Sequence, residues 1–377
     1  MRVAFRADAS LTIGTGHIMR CLTLAGALRG YGAECIFFSR DHPGNLHQLV
    51  REQGFQLMQL GPVDETSCAK GAAGGKHWLG VDQQRDAEDT LALVDGLAVN
   101  WMVVDHYGID AAWERALRQR CARILVIDDL ANRPHSADAL LDQNLGKSAL
   151  DYGPRVPPNC KLMLGTDYAL LRPEFAALRS VSLERRRLGQ LRKVLVTMGG
   201  VDLDNATGSV LDALKRLGDS FDLEVTVVMG LHSPWREGVL RLSRSMPFQT
   251  EVLTNVKSMG ALMCEADIGI GAAGSTSWER CCMGLPTLQL VLADNQRAIA
   301  DEISQAGAAL LLNRTEIGAN TLKAFKLLQN YPAMLIEMSE KAAKLVDGHG
   351  GSRVAQHLMV GNPCSEKPAT LQIAIRD

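Results

Sequence analysis

Strand-like apolar runs alternate with helix-like segments along most of this chain, and the alternation occurs twice. The first half contains the runs Val3–Phe5, Glu34–Phe38, Trp101–Asp105 and Ile124–Asp128, and the second half contains Lys193–Gly200, Glu224–Gly230, Glu251–Leu253, Ile268–Ile270 and Thr287–Val291. Strands that alternate with helices are typical of a parallel sheet covered by helices. The sequence therefore predicts an α/β protein with two successive doubly wound, Rossmann-like halves.

The length of 377 residues favours two domains over one. We place the first domain at residues 1–172 and the second at residues 193–345, joined by a polar linker at 173–192. Residues 346–377 are predicted to form a C-terminal helix end and a loosely held tail. A stretch rich in Gly and Ala, residues 62–80, is predicted to be an irregular loop.

Composition and charge argue against several classes of protein. A net charge of −2 argues against nucleic acid as a partner. No window reaches about 18 continuous apolar residues, so we expect no membrane span. The first apolar run is very short and ends at Asp8, so we expect no signal peptide. The nine cysteines are scattered without a Cys-x-x-Cys pair, which favours free thiols over a zinc site. We therefore predict a cytoplasmic protein without metal or cofactor.

A glycine turn between the first strand and the first helix is the main candidate site of the first half, with the sequence IGTGHIMR at residues 13–20. Gly14 and Gly16 let a ligand approach the backbone closely, and the helix that follows directs free N–H groups to the same place. His17 can exchange protons near neutral pH, and Asp8 is a candidate to orient its imidazole. The alternative is a structural turn in which the histidine and Asp8 only cap.

A denser group of small residues lies in the second half, with the sequence GAAGSTSWER at residues 271–280. A helix that begins near Ser275 or Thr276, just after Gly274, would direct its N–H groups at a diphosphate. Glu279 would then face the ligand one turn later, where a carboxylate can accept both hydroxyls of a ribose. The alternative is an ordinary capped helix with an acid in its first turn.

Three further strand ends carry candidate residues. Gly199 and Gly200 form a glycine turn that is equally consistent with an ordinary strand-to-helix connection. Tyr107 follows a strand in the first half and can orient a water or a sugar hydroxyl. Asn295 lies in a short loop of the second half, where an amide can both donate to and accept from a sugar. Ordinary turn chemistry explains the Asp-Asn pair there equally well.

Several motifs together resemble one enzyme family in colinear order over roughly residues 1–345. They are FRADAS at residues 5–10, IGTGHIMR at 13–20, VDHYG at 104–108, GTDYALLR at 165–172, MGGVD at 198–202 and AAGSTSWE at 272–279. The sequence is similar to the UDP-2,4-diacetamido-2,4,6-trideoxy-β-L-altropyranose hydrolases of pseudaminic acid biosynthesis, a PseG/SpsG-like family.

This resemblance implies a GT-B architecture, in which two Rossmann-like domains face each other across a cleft. It implies that the first domain receives the sugar and the second holds UDP, in a pathway that serves flagellin glycosylation. The catalytic histidine of the family matches His17, its active-site tyrosine and asparagine match Tyr107 and Asn295, and its nucleotide-binding acid matches Glu279. Arg20 and Arg172, which end two of the matching motifs, are assigned to binding together with the glycine turns.

The expected reaction is hydrolysis at the anomeric carbon with inversion, which releases UDP and the free sugar. His17 would act as general base on a water, with Tyr107 and Asp8 positioning it or the water. Two alternatives remain open from the residues alone. One is a UDP-sugar glycosyltransferase of the same fold, and the other is a non-catalytic nucleotide-sugar-binding protein.

Overall fold

The computed structural model describes residues 1–63, 76–218, 221–231 and 233–360, without the side chains of Lys76 and His77. Most of the loop predicted at 62–80, and the tail predicted after residue 361, lie outside the described residues. The described chain forms two compact units. The first comprises residues 1–141, 150–163 and those from 351 onward, and the second comprises 142–149 and 164–350.

A seven-stranded sheet forms the first unit, in the order β3-β2-β1-β4-β5-β6-β7. Its elements are β1 (Arg2–Ala7), α1 (Gly16–Gly30), β2 (Glu34–Asp41), α2 (His47–Glu52), β3 (Gln56–Pro62), α3 (Gln83–Val94), β4 (Val99–Asp105), α4 (Ala111–Leu117), β5 (Cys121–Ile127), β6 (Ala139–Asp142), α5 (Ala149–Tyr152) and β7 (Lys161–Leu164). Pairings from β3 through β6 are parallel. The short strands β6 and β7 and the largely exposed β3 were not predicted from the sequence.

A six-stranded sheet forms the second unit, in the order β10-β9-β8-β11-β12-β13 with parallel pairings throughout. Its elements are α6 (Pro173–Arg186), β8 (Lys193–Thr197), α7 (Ala206–Lys215), β9 (Glu224–Met229), α8 (Arg236–Ser243), β10 (Gln249–Thr254), α9 (Met259–Glu265), β11 (Ile268–Ala272), α10 (Thr276–Cys282), β12 (Thr287–Leu290), α11 (Arg297–Gln305), β13 (Ala309–Leu312), α12 (Ile317–Asn330) and α13 (Ala333–Leu345). Helix α14 (Gly350–Val360) follows them, and the α/β fold class predicted from the alternation is confirmed.

Helix α6 occupies most of the stretch that we predicted as a polar linker. Its fully buried Phe175 and Ser182 face the interior of the second unit, and Ser182 Oγ donates to the Met283 carbonyl at 2.7 Å. Arg186 donates to the carbonyls of Met263 and Ala266 at 2.6 and 3.1 Å. Residues 173–186 therefore form a packed helix, although their polar composition is typical of a linker between domains.

Each sheet has one point at which the strand order reverses. In the first unit the chain passes from β1 outward to β3 and then returns to β4 on the other side of β1. In the second unit the same reversal lies between β8 and β11. Ligands of open parallel sheets bind beyond the carboxyl ends of the strands at such reversals. The fold therefore singles out the loops after β1 and β4, and those after β8 and β11.

The loops after β8 and β9 approach each other so closely that only glycine fits at position 230. A Cβ on Gly230 would lie 1.8 Å from the carbonyl oxygen of Gly200. We expect Gly230→Ala to displace the turn at Gly199 and Gly200 and to lower the free energy of unfolding by about 1–3 kcal/mol. Denaturant unfolding measures this loss. Gly238→Ala is the matched control, because a Cβ there meets only the tip of Arg241 at 4.0 Å, and it should be neutral or stabilising.

Candidate functional site

His17 lies at the strand reversal of the first unit, at the second position of α1. The end of β1 pairs with the end of β4, with Ala7 opposite Asp105. This pairing brings the Asp105 carboxylate to His17, and the Nδ1–Oδ1 distance is 2.6 Å. An Nδ1–H that donates to a carboxylate leaves Nε2 as a proton acceptor. The imidazole is therefore held in the tautomer that a general base requires.

Arg20, one turn further along α1, binds the same carboxylate with two donors. Its Nε lies 2.6 Å from Asp105 Oδ2, and its Nη2 lies 2.6 Å from Oδ1. Burial alone would raise the pKa of Asp105, but the charges of Arg20 and His17 outweigh burial and hold that pKa well below its ordinary value. Asp105 therefore stays ionised. We predicted Arg20 as a binding residue, and in the structure its guanidinium contacts the carboxylate that holds His17.

Asp8 does not orient His17, contrary to our expectation. Its fully buried carboxylate accepts hydrogen bonds from Ser39 Oγ at 3.1 Å and from the Arg40 backbone N–H at 2.7 Å. It also forms a 2.8 Å ion pair with Arg6. Asp8 is bound to the end of β2. The acid that contacts His17 comes instead from β4, which pairs with β1 on its other side. The capping role that we weighed for Asp8 at the first helix is also absent.

Tyr107 lies beside His17 at the carboxyl end of β4. The two rings meet edge to face, with 4.8 Å between their centroids and 85° between their planes. The tyrosine hydroxyl donates to Asp129 Oδ1 at 2.6 Å, and Arg20 Nη1 lies 3.2 Å from Asp129 Oδ2. Burial and the charge of Asp129 raise the pKa of Tyr107, so the phenol stays protonated. We call His17, Arg20, Asp105, Tyr107 and Asp129 the His17 cluster.

The glycine turn before α1 leaves backbone accessible. Gly14 has a φ of +82° and closes a small loop with Ser10, and its N–H donates to the Ser10 carbonyl at 2.9 Å. A Cβ on Gly14 or Gly16 would meet no atom within 4 Å. Thr15 stands at the N-cap of α1 without a side-chain capping bond. The first N–H groups of α1 are thus free of protein capping side chains.

Two glycine turns flank the strand reversal of the second unit. Gly199 follows β8 with a φ of +90°, and Gly199 and Gly200 both have open space where a Cβ would stand. Helix α10 begins at Thr276, as predicted. Ser275 occupies the N-cap position, but its side chain makes no capping bond. The Ser275 hydroxyl and the backbone N–H groups of Gly274 and Thr276 are therefore available as donors beside the strand reversal.

Glu279 lies one turn into α10 with 21% of its side chain exposed. Arg172 Nη2 is 3.8 Å from its carboxylate, although the same guanidinium is closer to Glu174, at 3.0 Å. Burial raises the pKa of Glu279 to about 7, and the charge of Arg172 opposes this only in part. Glu279 is therefore a carboxyl group without a strong partner of its own in the described chain.

Asn295 is exposed on the short turn Asp294–Gln296 between β12 and α11. Arg172, Gly199, Gly274, Glu279 and Asn295 all belong to the second unit, whereas the His17 cluster belongs to the first. The sequence analysis named Asp105 only as the end of a strand and did not name Asp129, so the roles of both were missed. The available signal was a carboxylate at the end of each of two strands, but the order of strands in the sheet decides which carboxylate reaches the histidine.

Helix α10 also holds an arginine that the sequence analysis missed. Arg280 is buried, and its Nη2 donates to the Ala272 carbonyl at 2.8 Å and to Ser277 Oγ at 3.0 Å. A Cβ on Gly271 would lie 2.7 Å from Arg280 Nη1. The glycine at this position therefore makes room for the guanidinium behind the turn.

Comparison with known proteins gives relatives of the sequence. Residues 193–354 match the model of the glycosyltransferase family 28 C-terminal domain. The spore coat polysaccharide biosynthesis protein SpsG of Bacillus subtilis is 25% identical over 94% of this chain and 96% of its own length. The UDP-2,4-diacetamido-2,4,6-trideoxy-β-L-altropyranose hydrolase of Campylobacter jejuni is 27% identical over 57% of this chain and 66% of its own length. An uncharacterized protein of Methanocaldococcus jannaschii is 24% identical, and this chain spans 58% of its length.

Solved structures share the fold along nearly the whole chain. Acinetobacter baumannii MurG superposes with a TM-score of 0.67 at 16% identity, over 95% of this chain and 99% of that chain. UDP-GlcNAc 2-epimerase from Neisseria meningitidis, bound to UDP-GlcNAc, superposes with a TM-score of 0.61 at 12% identity, over 96% of this chain and 100% of that chain.

The two parallel sheets, the family match and these neighbours define a glycosyltransferase-like enzyme of the GT-B fold. No helix of the described chain combines the length and the apolar character needed to cross a bilayer. Within the GT-B class, the similarity to SpsG over nearly the whole chain and to the Campylobacter hydrolase supports a PseG/SpsG-like family. The family and the fold predicted from the motifs are thereby confirmed.

Proposed function

We propose that this protein hydrolyses a UDP-linked 2,4-diacetamido-2,4,6-trideoxy sugar at the anomeric C1–O bond with inversion. The products are UDP and the free sugar, which would supply pseudaminic acid synthesis in the cytoplasm. One observation carries the proposal: Asp105 holds His17 Nδ1 at 2.6 Å, which leaves Nε2 as a base at the strand reversal. The name of the Campylobacter relative supplies the substrate class.

In the proposed reaction His17 Nε2 removes a proton from a water molecule. The water oxygen attacks C1 on the face opposite UDP and forms the new C–O bond while the C1–O bond to UDP breaks. The electron pair of the broken bond moves to the diphosphate, which needs no proton to depart. Asp105 stabilises the imidazolium that forms, because its carboxylate is ionised and buried.

On the nucleotide side we propose that the diphosphate contacts the backbone N–H groups of Gly274, Ser275 and Thr276. N–H groups that no side chain caps are suited to an anion whose charge increases in the transition state. Gly199 and Gly200 would approach the same group from the loop after β8. Glu279 would accept the two ribose hydroxyls, and Asn295 would contact substituents of the sugar. Apart from Asn295, residues 193–345 would thus serve UDP, and residues 1–172 would serve the sugar.

Release of UDP in the absence of any acceptor tests this function. We expect the purified protein to convert the UDP-linked diacetamido sugar to UDP and free sugar, and the anomeric proton signal in NMR reports the stereochemistry. Retention at C1 would contradict the single-displacement mechanism, and UDP-GlcNAc serves as the control substrate. The match to a glycosyltransferase C-terminal domain favours one second candidate, a UDP-sugar transferase. A transferase would release little UDP until an acceptor is added, and a binding protein would release none.

Glu279 gives a prediction on pH. Its pKa is about 7 in the folded protein against an ordinary value of 4.5. Between pH 4.5 and about pH 7, the folded protein therefore keeps a proton on Glu279 that the unfolded protein has lost. The free energy of unfolding should therefore fall as pH rises through that window, because ionising the buried carboxyl is unfavourable. Ribose hydroxyls donate to the ionised form, so UDP affinity should rise by up to about tenfold as pH increases through the folded pKa.

Calorimetric titration of UDP against the wild type and Glu279→Gln measures this linkage. The ionisation of the UDP phosphates is common to both proteins and cancels in the comparison. The glutamine variant should lack the part of the pH dependence that belongs to Glu279. Identical pH profiles in the two proteins would contradict the assignment of Glu279 to the ribose.

A further inference from the structure

Asp129 contributes a carboxylate to the His17 cluster whose two oxygens have different partners. Oδ1 accepts the hydroxyl proton of Tyr107 at 2.6 Å, and Oδ2 faces Arg20 Nη1 at 3.2 Å. Its side chain is 18% exposed. The backbone of β5 ends two residues before it, which places the carboxylate at the same sheet edge as His17. None of the functional roles considered above is assigned to Asp129.

The contact with Asp129 decides what Tyr107 can offer to a ligand. A phenol carries one O–H donor and two acceptor lone pairs. A carboxylate can only accept, so the hydroxyl proton of Tyr107 points to Asp129. The Asp129 bond is the one hydrogen bond of this hydroxyl within the described chain. Any further group that binds the phenolic oxygen must therefore donate to it.

The attacking water of the proposed reaction is such a donor. A water molecule carries two hydrogens, and only one of them goes to His17 Nε2. The second needs an acceptor if the oxygen lone pair is to be held toward C1. The Tyr107 ring contacts the His17 ring at 4.8 Å between centroids, so the phenol lies beside the base.

We propose that Asp129 is a positioning residue that fixes Tyr107 as the acceptor of the second hydrogen of the attacking water. This inference rests on the proposed hydrolysis. In the reaction the water loses one proton to His17 Nε2, and its oxygen bonds to C1 as UDP leaves with the electron pair of the C1–O bond. The second hydrogen remains on the new hydroxyl of the sugar, and Tyr107 and Asp129 exchange no proton.

A double-mutant cycle between Asp129→Asn and Tyr107→Phe tests the proposal. An asparagine offers one acceptor oxygen where two are used, so Arg20 and Tyr107 compete for it and the tyrosine proton loses its fixed direction. We expect Asp129→Asn to lower kcat by about tenfold to a hundredfold, with little change in KM. In the Tyr107→Phe background the same substitution should have no further effect, because no hydroxyl remains to be oriented.

Asp89→Asn is the matched control, because its carboxylate is 17% exposed, binds two arginines and lies outside the His17 cluster. It should leave kcat unchanged. An equal loss of kcat from Asp129→Asn in both backgrounds would overturn the proposal, since Asp129 would then act through Arg20 or through folding. A rise in KM without a fall in kcat would also overturn it, since Tyr107 would then bind the sugar instead of the water.

A second measurement does not depend on activity. With 13Cζ-labelled tyrosine, a hydroxyl held at 2.6 Å should give a slowly exchanging downfield proton that is assigned by its loss in Tyr107→Phe. Loss of this signal in Asp129→Asn and its retention in Asp89→Asn support the proposed direction of the proton. Its absence from the wild type overturns the proposal even where no hydrolysis is found. A wild type that shows the signal but releases no UDP contradicts the proposed function separately.

Discussion

Replacing His17 with alanine is expected to lower kcat for UDP release by about 10²–10⁴-fold, the contribution of a positioned general base. UDP affinity should stay largely intact, because the residues proposed to hold the nucleotide all belong to the second unit. Steady-state kinetics and calorimetric titration of UDP measure the two quantities. His349→Ala is the control, because that histidine is exposed and lies outside the His17 cluster. Equal losses of turnover and UDP affinity would show that His17 binds the nucleotide and is not the base.

Asp105→Asn is expected to reduce both stability and turnover. The Asp105 side chain is fully buried between His17 and Arg20, so the change leaves the Arg20 guanidinium, whose side chain is only 11% exposed, without its closest counter-charge. Breaking a buried ion pair in this way costs about 3–5 kcal/mol of unfolding free energy. An asparagine also no longer fixes the tautomer of His17, so kcat should fall even in the fraction that is folded.

Glu34→Gln is the matched control for this prediction. It breaks an arginine–carboxylate pair of the same unit in which the two side chains are 30% and 53% exposed, where the expected loss is about 0–1 kcal/mol. Denaturant unfolding of both variants gives the comparison. The depressed pKa of Asp105 means that its contribution is present above the ordinary pKa of aspartate and is lost as pH falls. The asparagine variant should therefore show a shallower loss of stability in acid.

The alternation of apolar runs was sufficient to predict the fold class, because each central strand is a continuous apolar run bounded by a turn. Four strands were missed, and one of them, β13, is an apolar run of only four residues. Strand β3 is mostly exposed, and β6 and β7 have four residues each. Helix α6 was taken for a linker because only a few of its positions are buried and its last turn is rich in arginine.

The candidate site was predictable where local geometry decides and unpredictable where the strand order decides. A glycine turn followed by a helix predicted Gly14, His17 and Gly274 as candidates from neighbouring residues alone, and the structure has a turn and a helix at both places. The orienting acid of His17 was wrong in the sequence analysis, because Asp8 is closer in sequence but lies toward β2. Asp105 is 88 residues away from His17 along the chain and reaches it because β4 pairs directly with β1.

Helix α14 has a consequence for any attempt to dissect the protein. Although it follows the second unit in the chain, it packs on the first, and the Trp101 indole donates to the Leu358 carbonyl at 3.1 Å. A fragment that stops at residue 163 would expose the surface that this helix covers. Separate expression of the amino-terminal lobe therefore calls for a hybrid gene in which codons 350–360 are spliced behind codon 163.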